Sequence, residues 1–262
     1  MTANDSCFSS VVLFPTGEPL HVAESKRCVF SRGHQRWTLH ADCAISEPME
    51  IPANVTLDGG GHTIFLTGDA ERFESAAVRI HGGDVVNLTI DGSQLLPTAP
   101  AYFAAIALTA PGDVANTTVQ NLDFHGDPHS AIGIEVVSFD SSAAQVRDVA
   151  LENISGAGLL LTGNSQVTIK DVRISRVTAA LQASGNVSVR VSGCTIDDAQ
   201  IHVLAQNQAC VRVDATSASG ECIAEDDALI HHPAVTFIGA GDCEQGRRRA
   251  AALAAAPRNQ LG

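Results

Sequence analysis

One short pattern comes back five times in this chain and narrows what it can fold into. An apolar alternating stretch is interrupted by a single Asn, Asp or Gly and then alternates again toward a polar residue. It reads VVNLTID from Val85 to Asp91, VQNLDFH from Val119 to His125, VRDVALE from Val146 to Glu152, IKDVRIS from Ile169 to Ser175 and VSGCTID from Val191 to Asp197. The interrupting residues are Asn87, Asn121, Asp148, Asp171 and Gly193, spaced 34, 27, 23 and 22 residues apart. Period-two alternation marks a strand. Asn, Asp and Gly are the residues that accept the left-handed backbone of a one-residue bend. Spacings that converge on 22 predict a coiled solenoid whose early rungs carry insertions.

Aligning the strings on their bend residues places Leu88, Leu122, Val149, Val172 and Cys194 in one inward column and Ile90, Phe124, Leu151, Ile174 and Ile196 in a second. A rung cannot bury its apolar side alone, so rungs must stack and pair their backbones in parallel. A further strand stripe precedes each string, as in AAVRIHG, AAIALTA, AIGIEVV, AGLLLTG and TAALQAS. Three short strands per turn predict an all-β, single-stranded right-handed parallel β-helix, the hand following the general rule for parallel crossovers.

Length and composition fit one domain over residues 1–262, with residues 1–36 as an atypical N-terminal cap, 37–246 as rungs and 247–262 as a tail that is helix-prone up to Pro257. Aromatic residues make up only 4%, as suits a narrow core of Val, Ile, Leu and Ala. The formal charge of −13 argues against nucleic acid and anionic polysaccharides as ligands. No stretch approaches a membrane span, and no secretory leader is visible after Met1, so the expected compartment is the cytoplasm, or outside the cell if a leader has been removed. Seven cysteines without a CxxC pair argue against a zinc site. Cys194 reads as a buried thiol. Cys28 with Cys43, and Cys222 with Cys243, are within reach of pairing, yet most thiols are expected reduced.

The stretch ADCAISEPMEIPANVTLDGGGHTIFL, residues 41–66, resembles the opening rungs of bacterial right-handed β-helix repeat proteins of the pectate-lyase-like superfamily. The resemblance runs through the repeats to about Asp197. It implies the fold, and it leaves function open among lyases, hydrolases, epimerases and binding modules. No string matches the paired aspartates of the polygalacturonase kind or the calcium-binding aspartates and arginine of the lyases, so no catalytic residue carries over. The nearest carboxylate cluster is EDDALIHH from Glu225 to His232.

Stacking also predicts outward columns. One holds Asp91, His125, Glu152, Ser175 and Asp197, and its neighbour holds Thr89, Asp123, Ala150, Arg173 and Thr195. With rungs roughly 4.8 Å apart, His125 would sit between two carboxylates that favour its protonated form, and Arg173 would hold Glu152 ionised. Asp91, Asp123, His125, Glu152 and Arg173 thus form the expected acid/base set, with a proton donor, a base and a cation for developing negative charge. The two insertions overhang this face. The first brings Tyr102 and Phe103, which either stack on a sugar ring or pin the loop to the wall. The second brings Asp127 and His129 in HGDPH, whose spacing matches no standard metal motif. With Asp197, these residues supply the expected substrate contacts, and no metal or other cofactor is called for.

The N-x-S/T strings at Asn54, Asn87, Asn116, Asn153 and Asn186 follow from bend asparagines ahead of alternating strands, without any glycan. The chain therefore reads as an acid/base enzyme of lyase, isomerase, cyclase or glycoside hydrolase type. It would act on a neutral hydroxylated small molecule or carbohydrate, with self-association as a further expectation. The alternative is a non-catalytic carbohydrate-binding or structural β-helix.

Overall fold

The computed structural model describes residues 28–32, 35–96, 102–124, 130–138, 143–218 and 221–237. The nineteen strands of these residues join one continuous sheet, and apart from the first strand their pairings are parallel between successive coils. Each coil contributes three strand stripes, which give the solenoid three faces around one apolar core. The predicted parallel β-helix is the fold of the chain. The expected helical tail lies outside the described residues, as do most of the N-terminal cap and Cys243.

The bends are where the sequence placed them. Asn87, Asn121, Asp148, Asp171 and Gly193 all have positive φ, between 53° and 64°. Short polar side chains tolerate that conformation by bonding locally, and here they bond to one another. Asn87 Nδ2 donates to Asp58 Oδ1 at 2.9 Å, and Asn116 Nδ2 donates to Asn87 Oδ1 at 2.7 Å. At the next corner Asn121 Nδ2 donates to Asp91 Oδ1 at 3.2 Å and Asn153 Nδ2 to Asn121 Oδ1 at 3.1 Å. Each line of amides ends on a carboxylate, which can only accept.

These two lines also correct the register of one rung. Asn87 stacks on Asn116, not on Asn121, which belongs to the second corner. Leu88 accordingly pairs with Thr117, then Val149, and Leu122 pairs with Ile154. Ile90 stacks on Val119, Leu151, Ile174 and Ile196, whereas Phe124 sits elsewhere in the core. The predicted columns therefore hold for the rungs of Asn87, Asp148, Asp171 and Gly193 and slip by five residues at the rung between the first two. The physical reason is Thr117. It occupies an inward position where the other rungs carry an apolar residue, and it is tolerated because its hydroxyl donates to Ala115 O at 2.9 Å.

Three phenylalanines fill the core where the insertions leave it. Phe73, Phe103 and Phe124 meet edge to face with centroids 5.7 and 5.8 Å apart, and all three are buried. Phe103 thus anchors its segment to the wall. At the N-terminal end, strand Phe30–Arg32 pairs antiparallel with Arg36–Leu39, and Cys28 is disulfide-bonded to Cys43. Cys222 is disulfide-bonded as well, while Cys194 is a buried free thiol. Three of the five described cysteines are oxidised, contrary to the expectation of mostly reduced thiols.

Candidate functional site

The predicted acid/base column comes together only in part. Its members in the described rungs are Asp91, Gln120, Glu152, Ser175 and Asp197, so the position expected for His125 belongs to Gln120. His125, Asp127 and His129 lie outside the described residues. In the neighbouring column the place expected for Asp123 is held by Thr118, because both residues shift with the misread rung. Arg173 is exposed between Ala150 and Thr195, and the cation that meets Glu152 is Arg176, whose Nη2 donates to Oε1. Asp197 is exposed beside Ser175.

Asp91 is buried and structural. Burial would raise its pKa, but it accepts hydrogen bonds from Gln120 Nε2 at 2.7 Å, Ser93 N at 2.8 Å and Asn121 Nδ2 at 3.2 Å. Together these bonds outweigh desolvation and hold the carboxyl below its ordinary range. A carboxylate with its lone pairs already taken is a poor base for a substrate. Another buried ionisable group, His202, faces the apolar interior beside Cys222, and burial pushes its imidazole down to about 4.

A different face brings ionisable groups together. Strands Met49–Ile51, Ala76–His81, Phe103–Ala110 and Ala131–Ser138 lie side by side, with Glu50, Arg79, Ala107 and Glu135 in one register. Their inward neighbours Val78, Ile106 and Ile134 are core residues, so alternation turns this row outward. Beside the row runs a line of Ala76, Ala104, Ile132 and Ala157, which form a second apolar cluster with Ala107, packed against Tyr102 and Leu160. Ala107, itself buried, separates Arg79 from Glu135, which are two rungs or about 10 Å apart at the backbone.

Glu135 is largely buried in this apolar patch. Burial raises its pKa, and the adjacent Tyr102 hydroxyl offsets only part of that effect. Tyr102 is raised in turn, by burial first and by the Glu135 carboxyl second. The Tyr102 oxygen is enclosed, but no well-aligned hydrogen bond closes between the two groups. A carboxyl whose pKa is raised by burial beside a phenol on an outer face has an environment that suits a proton donor.

At the N-terminal end of the same face, Arg79 gathers carboxylates. Its guanidinium donates to Glu50 Oε1, Glu74 Oε2 and the Phe73 carbonyl, each at 3.0 Å. The other oxygen of Glu50 lies 2.6 Å from His81 Nε2, and His81 Nδ1 lies 3.0 Å from Thr109 Oγ1. The repeat pattern singles out none of these groups. Glu135 has one visible signal, as the sole charged residue in AIGIEVV, but Tyr102 and the neighbouring alanines reach it only through the fold. Among the described residues no cluster of three His, Cys, Asp or Glu side chains is placed to hold a metal.

A family model described as a right handed beta helix region matches residues 104–228, which takes in both Thr109 and Glu135 and runs on through the regular rungs. The match supplies the hand of the coil, in agreement with the crossover rule. No curated protein matches the chain.

Proposed function

We propose that this right-handed β-helix is an acid/base enzyme acting on an uncharged hydroxylated small molecule or carbohydrate, with Glu135 as its proton donor. The observation that carries the reading is the Glu135 carboxyl, whose pKa is raised by burial beside Tyr102 and an alanine-rich cluster on an outward face. Such an acid delivers a proton to a leaving or ring oxygen of the substrate. Tyr102 and Leu160, packed on the alanine-rich cluster beside Glu135, supply apolar surface for one side of a sugar-like ring. Lyase, isomerase, cyclase and hydrolase reactions all use a proton donor of this kind.

The test is product analysis by mass spectrometry after incubation with a library of neutral oligosaccharides and cyclic polyols. Glu135→Gln should lower turnover of any accepted compound by about 10²- to 10⁴-fold. Because the acid must be protonated to act, wild-type activity should fall as pH rises through its raised pKa. Full turnover by Glu135→Gln would sink the assignment. Binding without turnover would favour the non-catalytic carbohydrate-binding reading instead, which gains support from the apolar residues Leu160, Leu204 and Ile223 farther along the same outward row.

The disulfides favour an oxidising compartment over the cytoplasm as the place where the protein works. Thiol titration of the denatured, unreduced chain decides the point: seven reactive thiols would return it to the cytoplasm.

A further inference from the structure

We infer that Thr109, His81 and Glu50 form a hydroxyl–imidazole–carboxylate relay that cleaves small, uncharged carboxylic esters. The inference stands on side chains other than Glu135. Glu50 can only accept a hydrogen bond when ionised, so at 2.6 Å it selects the His81 tautomer that carries its proton on Nε2. Nδ1 is then an acceptor, and the Thr109 hydroxyl at 3.0 Å is the donor that meets it. The alternative acceptor for that hydroxyl, Ile80 O, is farther away at 3.3 Å. Arg79 fixes the remaining Glu50 oxygen at 3.0 Å, which holds the carboxylate in place against the imidazole. Nucleophile, base and orienting acid thus stand in hydrogen-bonded sequence, the arrangement that activates a hydroxyl group.

The three residues come from three successive coils, and Thr109 and His81 are exposed. An ester can therefore reach the hydroxyl without opening the fold. In the first step Thr109 Oγ1 bonds to the ester carbonyl carbon while its proton passes to His81 Nδ1. The carbon–alkoxy bond breaks, and the alcohol leaves with the proton returned from His81. Water then attacks the acyl-threonine, giving up a proton to Nδ1, and releases the carboxylic acid with Thr109 restored. Glu50 and Arg79 are positioning residues. The neighbouring Glu74 and the net charge of −13 disfavour anionic acyl groups.

The experiment uses the full chain with p-nitrophenyl acetate as probe. Acid-quenched samples should carry an acetyl group on Thr109, located by peptide mass spectrometry. Thr109→Val keeps the β-branched shape of a strand residue and removes only the hydroxyl; it should lower turnover about 100-fold or more with an unchanged melting temperature. Glu50→Gln should lose activity and Glu50→Asp should recover part of it. Acetyl found only on other residues, or turnover unaffected in Thr109→Val, overturns the relay. Neither result bears on Glu135, whose reading rests on the sugar and polyol assay.

Discussion

Asp91 and Glu135 are both carboxyl groups largely withdrawn from water on the same solenoid, and the fold treats them in opposite ways. Asp91 stands at a corner where Ser93, Gln120 and Asn121 all point donors at it, so burial costs it little and it stays ionised. Glu135 stands on a flat face among alanines with one phenol beside it, so burial dominates and its pKa is raised. A rung position alone does not make a catalyst. What differs is the number of donors that replace water, and that number decides whether the pKa of a withdrawn carboxyl ends below or above its ordinary value.

The severest way to probe the contrast is a carboxylate with neither kind of support. Val149 is an inward residue at 2% exposure, and Val149→Asp would bury a charge among hydrocarbons at a cost of several kcal/mol. Soluble, folded protein should be lost, as read by yield and circular dichroism. Asp91→Ala is expected to be milder. It strands donors from three residues and should cost about 2 kcal/mol in chemical denaturation. Since the folded-state pKa of Asp91 lies below the unfolded value of 3.8, its contribution is present above that pH and disappears as pH falls through the folded pKa. The wild-type advantage over Asp91→Ala should therefore shrink in acid.

The smallest effect, and of opposite sign, is expected for Glu135→Gln. Its folded-state pKa lies above the unfolded value of 4.5, so the wild type loses stability as pH rises from the unfolded toward the folded pKa. The variant should match or exceed wild-type stability at neutral pH and lose that advantage in acid. If both carboxyl variants respond to pH in the same direction, the contrast between corner and face is wrong.

Much of the architecture was legible in the sequence because bends demand particular residues. Five of five bend positions taken from the repeat have left-handed backbone, and four of the five rungs stack as aligned. The one slipped rung carries two asparagine bends, Asn116 and Asn121, and the repeat pattern fits either. A hydrophobic residue at 117 would have decided between them, but that position is a threonine satisfied by its own backbone. The site was less legible. Asp91 and Glu152 were rightly stacked two rungs apart, yet Arg176 rather than Arg173 reaches Glu152, because a bend turns its side chain back toward the rung below. Glu135 was hidden for a different reason. An alternating strand shows only that a residue points outward, whereas its solvation depends on Tyr102 and on alanines one or two coils away.

The antiparallel strand at the N-terminal end carries a consequence for how such molecules live together. A coil of parallel strands is a template at both ends, and identical coils from another molecule can in principle add to it without limit. Strand Phe30–Arg32 occupies the open edge of Arg36–Leu39 in the opposite direction, and the bond from Cys28 to Cys43 ties its start to the neighbouring stripe. A foreign parallel strand arriving at that edge finds its partners already engaged. The solenoid is thereby kept from becoming the seed of a filament along this stripe.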